Sequence, residues 1–329
     1  MQVGAHQQVD VAMPNVAVLI PCHNEETAIG KVVGDFRQVL PEAAIYVYDN
    51  NSRDRTAEVA RAAGAVVRTE TLQGKGNVVR RMFADIEADI YVLVDGDATY
   101  EAASAPKMIK ALLDGPLDMV NGARVTTIQQ AYRPGHRFGN WLLTSMAAWI
   151  FGDRFRDMLS GYRVMSRRYV KSFPALAAGF ETETELTVHA LELRMPSAEV
   201  ETPYKDRPPG SVSKLSTFYD GFRILWTILV LVKEERPMQF FSLLSVLLAL
   251  LSVVLVIPIV IEFLHTGLVP RYPTFIFATG LMILSFLSLT CGLVLDTVTR
   301  GRREMKRMRY LAIPAPNAGS AGEPPQREG

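Results

Sequence analysis

The stretch "VLVDGDATYE", residues 92–101, runs an apolar segment straight into two aspartates one residue apart, Asp95 and Asp97. Its reading decides the fold. Taken as punctuation, Asp and Gly after a strand make a turn. Taken as chemistry, two carboxylates closing a buried strand repel each other, and a divalent cation on a substrate's phosphates supplies the missing positive charge. The neighbouring sequence separates the two.

Residues 16 to about 124 alternate short apolar strands with helical patterns. "VAVLI" (16–20) reads as a strand, and the next segment has helical spacing at Ile29, Val32, Val33, Phe36 and Leu40. "AIYVYD" (44–49) is a second strand, followed by a helix closed at Gly64. "AVVRT", a helix through "NVVRRMFADIEA", the strand "IYVLVD" and another near "LDMVNGAR" continue the pattern. Strands alternating with helices predict a mostly parallel sheet that binds ligands at the strands' carboxyl ends. "PCHNEE", "DNNS" and "DGD" all fall there. Three polar clusters at strand ends favour the chemical reading. No G-x-G-x-x-G follows the first strand, and "QGKGN" (73–77) lacks the P-loop spacing, so a carboxylate pair holding a metal on a diphosphate is left.

Composition bounds the rest. The 329 residues allow one large domain plus extra elements, and a net charge of +1 gives no bulk attraction to nucleic acid. Cys22 and Cys291 lie far apart in regions of different polarity, which disfavours a disulfide. The five histidines show no paired ligand spacing for zinc. The start, "MQVGAHQQVDVAMP", has neither the basic start nor the apolar core of a signal peptide.

The apolar weight lies towards the other end. Residues 238–261 and 274–295 carry no charge. Each is long enough to cross a hydrocarbon core of about 30 Å. A buried soluble hairpin would need a large partner around both helices. The connection "EFLHTGLVPRYP" holds one arginine, whereas "RGRREMKRMR" (300–309) holds six basic residues and one acidic. The positive-inside rule predicts an inner-membrane protein with two spans, its N-terminal domain and C-terminus cytoplasmic. The end, "PAPNAGSAGEPPQREG", reads as disordered. "KLSTFYDGFRILWTILVL" (214–231) places Leu215, Phe218, Phe222, Leu225, Trp226 and Leu229 on one face, and continuity with the first span favours an interfacial helix. "RFGNWLLTSMAAWIF" (137–151) suits a core or an interfacial helix equally. The domain expectation is a tail (1–14), a catalytic domain (15–213), an amphipathic interfacial helix (214–236), a two-helix hairpin (237–298) and a basic segment with a disordered tail (299–329).

The blocks "VLIPCHNEE", "YDNNSRDRT", "QGKGNVVRRM", "VDGDATY", "GAR", "DMLSGYR" and "RPPGSVSKL" occur in that order. Together they resemble family-2 glycosyltransferases, inverting enzymes of the GT-A fold, and more narrowly the polyprenyl-phosphate sugar transferases of the dolichol-phosphate mannose synthase group. The likeness covers about residues 16–216, and the two spans extend it. It implies an α/β fold: a Rossmann-like GT-A catalytic domain with a mostly parallel sheet, then an interfacial helix and two transmembrane helices.

The resemblance also implies a nucleotide-sugar donor, UDP- or GDP-linked, a polyprenyl phosphate acceptor in the membrane, and Mg²⁺ or Mn²⁺. Pro21, Asn24, Glu25, Asp49, Asn50, Lys75, Asp95 and Glu183 would bind the donor, with Asp49 accepting from the base. Many relatives carry a second aspartate where Asn50 stands, which bears on base preference. Asp95 and Asp97 would hold the metal. Arg124, Arg137, Arg207, Ser213 and Lys214 would hold the acceptor phosphate, against the alternatives of solvated surface charge and, for Arg137, of Arg133. Asp157 would orient the sugar or accept a proton, and Arg207 and Asp97 complete the catalytic set. The residues alone equally allow Asp157 as an N-cap or a partner of Arg154 or Arg163. Glu181, Glu183 and Glu185 also suit a helix start on dipole grounds.

Rival classes are a lipid-linked oligosaccharide or polysaccharide synthase, a sugar-nucleotide pyrophosphorylase and a non-catalytic scaffold. The Q-x-x-R-W pattern of processive synthases and the G-x-G-T-R-like loop of pyrophosphorylases are absent, and a scaffold needs none of Asp95, Asp97, Arg207 or Lys214. Two lone spans allow a homo-oligomer.

Overall fold

The computed structural model describes residues 14–125, 145, 155–177, 179, 181–205, 229–230, 232–269 and 271–315. The chain divides into two compact units, Met1–Thr217 with Lys306–Gly329, and Phe218–Met305.

The first unit is built on a seven-stranded sheet in the order β3-β2-β1-β4-β6-β5-β7. Its strands are β1 (Val16–Cys22), β2 (Ala44–Asp49), β3 (Val66–Thr69), β4 (Ile90–Leu93), β5 (Met119–Val125), β6 (Arg163–Ser166) and β7 (Ser197–Pro203). The first four pair in parallel, while β6 runs antiparallel between β4 and β5. Every residue of β4 is buried, as a central strand covered on both faces requires. The helices are α1 (Ile29–Val39), α2 (Thr56–Ala62), α3 (Lys75–Asp85), α4 (Ala105–Asp114), α5 (Arg167–Ser172) and α6 (Thr182–Glu192). α1 forms because Ile29, Val32, Val33 and Phe36 recur at helical spacing, and that stripe is the one buried.

The chain enters the sheet at β1 and builds outward first to β2 and β3, then to β4 on the other side. This reversal opens a crevice at the carboxyl ends of β1 and β4. Register fixes what lines it: Cys22 pairs with Asp49, and Leu19 with Leu93, just before Asp95. The mostly parallel sheet expected from the alternating pattern is present; the antiparallel β6 was not anticipated.

The second unit holds α7 (Pro237–Thr266) and most of α8 (Tyr272–Leu311). Both are long and apolar enough to cross a membrane, with only 17% and 22% of their apolar windows buried. A core helix of a soluble protein would be mostly covered. The two pack through small hydroxyl residues, with Ser245 and Ser285 at 2.9 Å and Ser252 donating to the Ala278 carbonyl at 2.7 Å. Small residues let the helix backbones approach closely. The sequence reading closed the hairpin at 298, but α8 continues through the basic segment to Leu311. Its end belongs to the first unit: Lys306 pairs with Glu192 at 2.6 Å, and the Tyr310 hydroxyl donates to buried Asp118 at 2.7 Å.

Candidate active site

The crevice collects carboxylates from three strand ends. Burial pushes the Cys22 thiol well above its ordinary value, and the charges of Glu25, Asp49, Asp95 and Asp97 add to the rise. The geometry agrees: Cys22 pairs with Asp49 across the sheet, and a Cβ at Gly96, between Asp95 and Asp97, would lie 2.5 Å from the Cys22 sulfur. Cys22 itself stays a protonated, packed thiol.

Asp49 accepts from the Ser52 backbone N–H at 3.3 Å through Oδ2, while its buried Oδ1 has no hydrogen-bond partner among the described residues. Asn24, in the left-handed region at φ 53°, donates its N–H to Ser52 Oγ and accepts from the Arg53 N–H at 2.8 Å. Buried Glu25 is tied back through its N–H to Thr56 Oγ1 at 2.8 Å, and Pro21 lies in β1 beside Tyr48. Asn50 differs from the expectation of a base contact. It is buried, donates both amide hydrogens to the Glu70 and Leu72 carbonyls at 2.8 Å, and accepts from the Gly74 N–H at 2.7 Å.

Lys75 opens α3, and its ammonium bridges Asp95 and Glu183. Burial alone would lower its pKa, but the two carboxylate charges and hydrogen bonds outweigh that and hold it above the usual lysine value. Sequence reading treated the charge of Asp95 as a cation's task, and here a lysine already shares it. A Cβ at Gly161 would lie 2.2 Å from Asp95 Oδ2, so only glycine permits this carboxylate its position. Asp97 is buried, and its Oδ1 accepts from the Thr99 N–H and hydroxyl at 3.2 and 2.6 Å. Glu183 Oε2 is buried without a hydrogen-bond partner among the described residues.

The donor set at Asp95 and Asp97 is hard oxygen, in a concentrated negative field. It fits Mg²⁺ or Mn²⁺, which bind through one or two carboxylates plus substrate phosphates. No cage of three or more His, Cys, Asp or Glu side chains occurs among the described residues.

Arg124 and Asp157, given separate tasks by the sequence reading, form one pair. Nε and Nη2 of Arg124 donate to the two oxygens of Asp157 at 2.7 Å each, and the Arg124 N–H adds a bond at 3.2 Å. Burial raises the Asp157 pKa, but the hydrogen bonds and charge of Arg124 dominate and hold it below the ordinary carboxylate range. A carboxylate held in this state favours the orienting half of the expectation over the proton-accepting half. Arg163 adds to the lowering through its charge, and Asp157 caps none of the described helices. Arg137, Arg207, Ser213 and Lys214, like Arg133 and Arg154, lie outside the described residues.

One role and one residue escaped sequence reading: what Arg163 holds together, and Glu199. Arg163, wholly buried in β6, donates to the carbonyls of Met158, Ser160 and Glu183, joining the Asp157 loop to α6. Glu199 of β7 accepts from Asn121 Nδ2 and from the N–H groups of Arg156 and Asp157. Arg163 sits in "SGYR", so its place in a motif was visible; Glu199 carried no signal.

The sequence matches Glycosyl transferase family 2 over residues 17–172. It is 36% identical over 233 residues to Glycosyltransferase AglJ of Haloferax volcanii, covering 69% of this chain and 75% of that one. It is 30% identical over 222 residues to a dolichyl-phosphate hexose transferase of the same organism, covering 68% of this chain and 96% of that one. In fold it is similar to glucosyl-3-phosphoglycerate synthase of Mycobacterium tuberculosis, solved with Mn²⁺, UDP and glucosyl-3-phosphoglycerate. That likeness has a TM-score of 0.56 at 23% identity over 68% of this chain and 80% of that one.

Proposed function

The chain belongs to glycosyl transferase family 2 and is a hexosyltransferase, and from that premise we propose that it moves a hexose from a nucleotide-sugar to a membrane polyprenyl phosphate, with inversion. The observation that carries this reading is the carboxylate cluster at the ends of β1, β2 and β4, with buried oxygens on Asp49 and Glu183 that have no hydrogen-bond partner among the described residues. The two membrane-length helices and the dolichyl-phosphate hexose transferase among the relatives support the acceptor class. The Mn²⁺ and UDP bound by a structural neighbour agree with a metal-assisted donor site.

In this reading Pro21, Asn24 and Glu25 line the nucleotide end, and Asp49 Oδ1 accepts a base N–H. Lys75 and Glu183 face the diphosphate and sugar. Asp95 and Asp97 would hold Mg²⁺ or Mn²⁺, whose charge would offset the negative charge developing on the leaving nucleoside diphosphate. The acceptor needs no general base, because a phosphate monoester with a second pKa near 6 arrives ionised. It needs charge screening and alignment against another anion. Arg137, Arg207, Ser213 and Lys214 supply that grip, arginine by its planar fork. Arg124, held by Asp157, adds a fixed positive edge. Residues 15–213 form the catalytic domain, 214–236 an interfacial helix, and the basic run 300–309 keeps domain and C-terminus cytoplasmic.

The test presents full-length protein in membranes with a panel of radiolabelled UDP- and GDP-sugars, short polyprenyl phosphate, and either Mg²⁺, Mn²⁺ or a chelator. Label entering the lipid phase only with polyprenyl phosphate and metal is expected. Label that requires a lipid-linked oligosaccharide instead rejects the acceptor, and undiminished transfer under chelation rejects the metal.

A further inference from the structure

Asn50 follows the last residue of β2, and every polar atom it has is spent inside the protein. Its N–H donates to the Cys22 carbonyl at 2.8 Å, and its own carbonyl lies 2.8 Å from His23 Nδ1. The side chain reaches across to residues 70–74, donating twice and accepting once. β3 ends at Thr69, so the carbonyls beyond it have no strand to pair with. Leaving the carbonyl of buried Glu70 unpaired would cost stability, whereas Thr71 and Leu72 are exposed and their bonds serve to fix the path of the chain. Asn50 covers the carbonyls of Glu70 and Leu72, and Asn51 covers that of Thr71 at 2.9 Å. Gly74 follows at φ 128°, a conformation that glycine tolerates, and Lys75 begins α3 directly after it.

We propose that Asn50 is a positioning residue: without touching the donor, its amide clasps the 70–74 turn to the end of β2 and so sets Lys75 between Asp95 and Glu183. The proposal rests on the donor-side reading of Lys75. It explains why an amide stands at this place. Only an amide offers two donors and an acceptor from one short planar group. An aspartate would keep the bond from Gly74 but turn a charged oxygen towards two carbonyls.

A double-mutant cycle on the full-length protein tests this, with N50D, K75M and the pair compared by kcat and donor KM in the transfer assay. Hydrogen–deuterium exchange of residues 70–76 and of β1 is followed alongside. A misplaced ammonium is expected to cost N50D about 10–100-fold in kcat, with donor KM changed less than about threefold. The pair is expected to lose no more than K75M alone, because both changes act through one ammonium. Losses that multiply overturn the proposal. So does a switch in preference between uridine and guanosine donors, which means that residue 50 reads the base. Full activity in K75M rejects the donor-side reading instead, and exchange then judges the clasp: faster exchange confined to 70–76 in N50D upholds it, and unchanged exchange rejects it. Should N50D fail to fold, N50S, which shortens the side chain without adding charge, is judged by the same criteria.

Discussion

Lys75 with Asp95 and Glu183 forms an open ion cluster, whereas Arg124 with Asp157 forms a closed one. Both are largely buried and both join elements distant in sequence. In the closed pair each carboxylate oxygen is filled by the same guanidinium, and a backbone N–H completes the set. In the open cluster one ammonium serves two carboxylates, Asp95 keeps 30% of its side chain exposed, and Glu183 Oε2 has no hydrogen-bond partner among the described residues. Buried polar atoms are normally paired, so an unpaired one beside an exposed carboxylate marks where a ligand completes the chemistry. In the closed pair the Asp157 carboxylate has both oxygens filled. Burial alone does not distinguish these roles; the state of hydrogen-bond satisfaction does.

The comparison is most easily broken at Asp97, the proposed metal ligand on the open side. Asp97→Ala is expected to lower transfer by about 1,000-fold, far beyond the stability loss of about 1–2 kcal/mol from its two bonds to Thr99, as activity assays and thermal unfolding will show. A wild-type rate removes the metal assignment. On the closed side the balance is reversed. Asp157→Asn removes the charge that takes up Nε and Nη2 of half-buried Arg124 and is expected to destabilise the protein by about 2 kcal/mol in denaturant unfolding. A loss below about 1 kcal/mol means that the pair is not a structural clamp.

Glu183→Gln sharpens the contrast by keeping shape and removing one of the two charges on Lys75. Transfer is expected to fall about tenfold, equal to about 1.4 kcal/mol of barrier. An equal fall in stability with no fall in rate would move Glu183 to the structural side. The smallest effect concerns pH. A carboxyl whose folded pKa lies below its unfolded value adds stability that is present above the unfolded pKa and lost as pH falls through the folded one. The contribution of Asp157 is therefore complete at neutral pH and fades only below about pH 4. The rate ratio of wild type to Asp157→Asn is expected to stay flat between about pH 6 and 8. An acidic limb present in wild type and lost in the variant would make Asp157 a proton acceptor after all.

Sequence reading located β1, β2 and β4 within a few residues, because apolar runs bounded by Asp, Asn and Gly are local signals. It also put Asp49, Asp95 and Asp97 at strand ends, where parallel topology brings them together. It missed β6 and β7. β6 is four residues long and antiparallel, and β7 has a mostly half-exposed, polar sequence, so neither carries a period that stands out.

What the sequence alone determined was the order of strands and helices, the polar character of their ends and the two long apolar helices, since each is written in neighbouring residues. Which charge meets which was decided only by the tertiary structure. Lys75 and Glu183 are 108 residues apart, and Arg124 and Asp157 are 33 apart. Their meeting depends on β6 entering between β4 and β5 and carrying the Asp157 loop and α6 with it. A hydrogen bond depends on angstrom-scale placement, and no local pattern encodes the register that supplies it.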